Sequence, residues 1–122
     1  MKALAALALA GTVALHAGIP LARGTYVLSS TPCADAPFAA MKTFDGAAFA
    51  GPHEAKCSTR VLSRRGDVFR TATTCRANGD GSPAAPSTQV ATLRIRSGTA
   101  FEQMGSGDPR RALRYRLCPA GT

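Results

Sequence analysis

Apolar and polar residues alternate at every second position through much of the second half of the chain. In 90–96, Ala91, Leu93 and Ile95 share one face, and Thr92, Arg94 and Arg96 share the other. Leu113, Tyr115 and Leu117 alternate with Arg114 and Arg116 in the same way. Residues 57–75 read as two strands, rich in Val, Thr, Leu and Phe, around Arg65-Gly66-Asp67. Earlier, 25–29 is a strand candidate after Gly24. Segments 41–44 and 47–50 flank Asp45-Gly46, a pair that signals a type I′ hairpin. A further strand spans 99–104 after the turn Ser97-Gly98. Segment 33–38, which follows Pro32 and contains Pro37, reads as a loop leading into one helical turn. Segments 76–88 and 105–110 are polar and rich in Gly and Pro, so exposed loops are predicted. Beyond the N-terminal segment, no stretch of 11 or more residues has helical periodicity. The pattern predicts an all-β domain, a small antiparallel barrel or sandwich of seven to eight short strands.

The N-terminus breaks this pattern. Lys2 opens residues 1–22, an apolar run covers 3–15, and small residues follow. That is the layout of a secretory signal peptide, with Ala17 or Ala22 as the cleavage site. The run is short of the ~20 residues that cross a bilayer. Cleavage therefore leaves no membrane-spanning segment. It leaves one domain, taken as 23–122. No cysteine follows the apolar run closely, which argues against a lipid anchor.

Export changes the meaning of the four cysteines. In an oxidising compartment they read as two disulfides, and four cysteines allow three pairings. A three-residue hairpin loop with Arg64 facing Val68 sets Cys57 directly opposite Cys75, close enough for a cross-strand bridge. Cys33 then pairs with Cys118. A two-residue loop shifts the pairing by one position, so the register stays open at this point. The chain has no C-x-x-C motif, and only His53 follows the signal, so metal or redox chemistry at the cysteines is not expected.

Charge narrows the function classes. The chain carries 15 Lys+Arg against 7 Asp+Glu, a formal net charge of +8. In the hairpin register above, Arg60, Arg64 and Arg70 share one face. Arg94 and Arg96, and Arg114 and Arg116, lie on the outward faces of their strands. If these strands are neighbours, a basic stripe results, suited to phosphate and carboxylate groups. Anionic polysaccharide, lipid head groups or an envelope protein are the partners this chemistry fits. The plain alternative is a solvated face that keeps strand edges unpaired. Nucleic acid is not expected: aromatic stacking platforms are few, and export removes the target. His53-Glu54 could hold a general base and its orienter, but neighbouring residues in a strand face opposite ways. No G-x-S-x-G turn, paired acids or complete calcium loop is present. Asn78-Gly-Asp-Gly-Ser82 is read as a turn. The expectation is a non-enzymatic binding module without a cofactor, secreted or periplasmic. The alternative is an inhibitor of an envelope or cell-wall enzyme.

Gly24-Thr-Tyr26, Cys33 soon after, the segment between Cys57 and Cys75, and Tyr115-Arg-Leu-Cys118 also carry a family likeness. With the signal, they make the chain resemble small exported four-cysteine proteins of proteobacteria. Tyr26 stands where those proteins commonly have Trp. The resemblance covers framework residues. It implies the fold and the disulfides, and no catalytic or binding residue.

Overall fold

The computed structural model describes residues 18–105 and 108–120. Eight antiparallel strands form one nearly closed barrel: β1 (Gly24–Leu28), β2 (Met41–Phe44), β3 (Phe49–Ala50), β4 (Glu54–Arg65), β5 (Val68–Asn78), β6 (Pro83–Ser97), β7 (Ala100–Gly105) and β8 (Asp108–Leu117). A single 3₁₀ turn, Phe38–Ala40, precedes β2. The sheet order β3-β2-β1-β8-β7-β6-β5-β4 is an up-and-down meander that β1 and β8 join. The seam lies between β3 and β4. There the Phe49 N–H donates to Thr59 Oγ1 at 2.9 Å, in place of a backbone ladder, and Thr59 Oγ1 also bonds Thr73 Oγ1 at 2.8 Å.

The inward positions follow the two-residue period. Tyr26, Phe44, Phe69, Leu93, Phe101 and Tyr115 point inward and are almost fully buried. Phe101 is the hub: its ring centroid lies 5.0–5.6 Å from those of Tyr115, Tyr26 and Phe49. Aromatic rings fill most of the space that aliphatic residues occupy in other cores, because this chain is poor in large aliphatic residues.

Both disulfides form, Cys33–Cys118 and Cys57–Cys75. The hairpin reaches this pairing by a different route from the one read in the sequence. The turn holds two residues, Gly66 and Asp67, so Arg65 faces Val68 and Arg64 faces Phe69. Leu62 is an extra residue in β4 between Val61 and Ser63. This bulge restores the register, so Val61 faces Thr71 and Cys57 faces Cys75.

Three other sequence expectations change. The loop predicted over 76–88 shrinks to residues 79–82, because β6 runs for 15 residues. Pro86 is accommodated at a register shift, where Cys75 faces Ser87 and Ala77 faces Pro83. The Asp45-Gly46 turn is centred one residue later than in a type I′ hairpin. Asp45 Oδ1 accepts from the N–H groups of Ala47 and Ala48, and the Asp45 N–H donates to the Ala48 carbonyl. The bonds from Ala48 and Ala47 hold the Asp45 carboxyl below its ordinary range. The polar segment over 105–110 gives way to strand from Asp108 onward.

The domain also starts earlier than Arg23. Most of the segment read as a signal, 1–17, lies outside the described residues, but 18–22 is packed. Ile19 and Leu21 are 6% and 8% exposed and belong to the core. The Ala22 N–H donates to the Gly98 carbonyl, and the Tyr26 hydroxyl donates to the Ala22 carbonyl at 2.6 Å. Gly18 approaches β4 so closely that a Cβ there would meet Val61 at 2.6 Å. This segment closes one end of the barrel.

Candidate functional site

Strand register decides where the predicted arginines go. On the outer surface one lateral row reads Arg65, Val68, Arg94, Glu102 and Arg114 across β4 to β8. Arg70 lies in the next row, between Ser63 and Thr92, and Arg60 lies further along β4, opposite Ala72. At the usual ~4.8 Å between strands, the row follows the curved wall for roughly 19 Å, about half the way round the barrel. Glu102 is its one carboxylate. It is largely buried, and Oε2 lies 3.0 Å from Arg114 Nε. Arg60, Arg70 and Arg94 therefore lie on adjacent strands of the convex outer wall, and Arg65, not singled out in the sequence, joins them; Arg114, on β8, continues the band two strands further round the barrel.

The other three arginines do not join that face. The bulge at Leu62 turns Arg64 onto the same side of the sheet as Phe69. Its guanidinium carbon lies 4.7 Å from the centre of that ring, and Nε donates to the Gly66 carbonyl. Arg64 is a cap on the closed end. Arg96 lies at a register shift between Ile95 and Ser97 and borders the same end, beside Pro20 and Gly98. Arg116 is structural. Nη2 donates to the Thr31 carbonyl at 2.7 Å and Nη1 contacts Cys33 Sγ at 3.1 Å. It thereby draws the loop after β1 over the outside of the barrel. Val27, opposite Arg116 in the register, is consequently buried on a face that would otherwise be wet.

The far end of the barrel is open. A cavity of about 340 Å³ enters it between the 3₁₀ turn, the β3–β4 connection and β6. Phe49, Tyr115, Leu93 and Ala91 form its apolar wall, and Thr71, Thr73 and Gln103 supply polar groups. Lys42 faces inward, opposite Tyr26 in the register. Its ammonium donates to Gln103 Oε1 and lies 5.4 and 5.9 Å from the ring centres of Tyr115 and Phe49. Burial lowers the Lys42 ammonium below its ordinary value, and the Glu54 carboxylate acts in the opposite direction. Burial raises the Tyr115 phenol.

His53 and Glu54 stand at the mouth. His53 is exposed on the turn before β4, and its ring meets Phe38 edge-on at 5.4 Å. Glu54 Oε1 accepts from the Gly51 N–H at 2.9 Å, so the neighbouring carboxylate is directed at the backbone. Gly79, from the β5–β6 turn, packs here. A Cβ at that position would meet the Pro52 carbonyl at 2.5 Å. That turn is built by Asn78, Ser82 and Asp80 bonding one another and the backbone.

Sequence reading missed the cavity and Lys42. The available signal was the two-residue period of β2: with Phe44 in the core, Lys42 must share its face. The two disulfides point to an oxidising, extracytoplasmic compartment. Among the described residues, no helix is long and apolar enough to cross a membrane. No protein-family model, curated protein or solved structure matches the chain.

Proposed function

We propose that the chain is an exported, non-enzymatic binding protein, secreted or periplasmic, whose outer arginine face meets anionic envelope components. The observation that carries this reading is the register. It brings Arg60, Arg65, Arg70 and Arg94 together on the convex wall of β4 to β6, with Arg114 extending the band round to β8 and Glu102 the only carboxylate in the lateral row among the described residues. Guanidinium forks on a rigid sheet suit repeated phosphate or carboxylate groups. The likeness to small exported four-cysteine proteins supports the same setting. Signal cleavage falls after Ala17 in this reading. Cleavage after Ala22 would remove Ile19 and Leu21, two core residues, and the Ala22 carbonyl that Tyr26 bonds would become a chain end.

Binding of the purified domain to immobilised polygalacturonate and to phosphatidylglycerol vesicles tests the proposal. At low salt, wild type binds at least one of them. The triple variant Arg65→Ser, Arg70→Ser, Arg94→Ser binds it on the order of tenfold more weakly. Binding that survives ~0.5 M salt unchanged would sink the idea, because exposed charge contacts are screened there. Tight inhibition of a cell-wall hydrolase, with no binding to either surface, would replace this reading with that of an enzyme inhibitor.

A further inference from the structure

The arginine face leaves the barrel cavity unused, and the cavity carries a site of its own. A lysine pointing into a barrel lined with aromatic rings is an expensive residue to place there, since burial disfavours its charged form. Hydrophobic residues of equal length fit such a wall without that cost. Lys42 has three donors, and Gln103 takes one. Among the described residues, no carboxylate lies within ion-pairing distance of its ammonium. Glu54 faces the Gly51 N–H and acts on Lys42 only through space, and His53 stands at the rim, its ring against Phe38. The cation is therefore held in place on an apolar wall, with bonding capacity directed at the cavity.

We propose that this cavity binds a small amphipathic monocarboxylate of about ten non-hydrogen atoms, the number set by its volume at the ~30 Å³ that a water occupies in the liquid. The ligand's carboxylate pairs with Lys42 and its apolar body lies against Phe49, Tyr115 and Leu93. Gln103 fixes the ammonium's position, and the Phe49 and Tyr115 rings complement its charge. The ligand's carboxylate makes the direct ion pair that Glu54, bonded to the Gly51 N–H, does not, and the low-dielectric surroundings strengthen the pair. The excess of basic residues on the outside raises the local concentration of anions at the surface. A dicarboxylate or a sugar fits less well, because a second charge or many hydroxyls would be pressed against the aromatic wall.

Octanoate and octanamide, matched in shape and differing in charge, are the probes. Calorimetric titration of the wild-type domain is expected to show octanoate binding about tenfold or more tightly than octanamide, as a hydrogen bond to a charged group implies. Octanoate should shift the Gln103 side-chain amide resonance, which locates it in the wild-type protein without any substitution. In Lys42→Met the preference for octanoate disappears while octanamide still binds. The idea is overturned by any of three results: equal affinities in wild type, octanoate preference retained in Lys42→Met, or no binding of either probe. It is also overturned if the Arg65, Arg70, Arg94 triple variant abolishes octanoate binding, since the anion then lies outside. The cavity and the arginine face can thus fail separately.

Discussion

The two ends of the barrel are built from the same eight strands and are opposite in character. At one end, Gly18 to Ala22 folds across the opening, Ile19 and Leu21 fill it, and Arg64 lies over Phe69. At the other, the wall carries Lys42, Gln103, Thr71 and Thr73 around open space. The strands do not decide which end closes. The chain before the first strand does, by reaching one rim and covering it. A small barrel that cannot fill its whole interior with large side chains can place its apolar residues at one end and leave a usable hollow at the other.

The disulfides divide in the same way, and this gives the largest expected effect. Cys118 follows β8 at the closed end, where its N–H donates to the Thr25 carbonyl. Cys57–Cys75 lies in the hairpin beyond Thr59 and Thr73, toward the mouth. The first bridge spans a sequence separation of 85 and the second 18. In the loop-entropy picture, losing them costs about 4–5 and about 3 kcal/mol. Urea unfolding of Cys33→Ala/Cys118→Ala and of Cys57→Ala/Cys75→Ala should show that order. The reverse order would mean that the mouth, rather than the plugged end, is the more demanding part of the fold.

Next in size is the plug itself. Leu21→Ala removes a buried side chain and should lower stability by about 2–4 kcal/mol. Val90→Ala at the mouth, where Val90 is 53% exposed, should cost less than about 0.5 kcal/mol. Similar losses at both positions would mean that the mouth is as tightly packed as the plug.

A third substitution sharpens the picture of the open half. Thr59→Val keeps the shape of the side chain and removes its hydroxyl. The Phe49 N–H at the seam then has no acceptor, at a cost of about 1–3 kcal/mol. A loss within error would mean that water replaces the hydroxyl and that the seam is wet.

Much of this architecture was legible in the sequence. Clean alternation in β6 and β8 exposed both the strands and the faces of Leu93, Arg94, Tyr115 and Arg114. The cysteine pairing was legible too, although its derivation assumed a three-residue turn. A two-residue turn and one bulged residue give the same pairing for Cys57, but they reverse the face of Arg64, which lies between the turn and the bulge. Bulges and turn lengths depend on the closing geometry of the whole sheet, and local sequence does not encode that. Arg116 could not be recognised as structural, because its partners Thr31 and Cys33 arrive from far along the chain. Ile19 and Leu21 were hidden by their likeness to the end of a signal peptide. The cavity was hidden because it is a property of how strands enclose space.

The smallest effect contrasts Tyr26, bonded to the plug, with Lys42, at the open end, in the sign of their pH dependence. Burial raises the Tyr26 phenol, which bonds the plug at the Ala22 carbonyl. Burial lowers the Lys42 ammonium, with Glu54 offsetting part of the shift. Above ~10, the ordinary phenol value, the unfolded chain loses the tyrosine proton before the folded chain does, so stability falls as pH rises toward the folded value. Between the lowered folded value of Lys42 and ~10.4, the unfolded chain keeps a proton that the folded chain has released, so stability rises with pH through that window. Lys42→Met removes the second dependence. Its stability advantage over wild type should be greatest near neutrality and shrink as pH approaches ~10. Tyr26→Phe loses the bond to Ala22 at every pH, and its decline above ~10 is shallower than that of wild type, with the share from the buried Tyr115 phenol remaining. Urea unfolding of the three proteins across that range reads both slopes. A constant difference between Lys42→Met and wild type would show that the ammonium is as well hydrated as a surface lysine. The open end would then differ from the closed end only in shape.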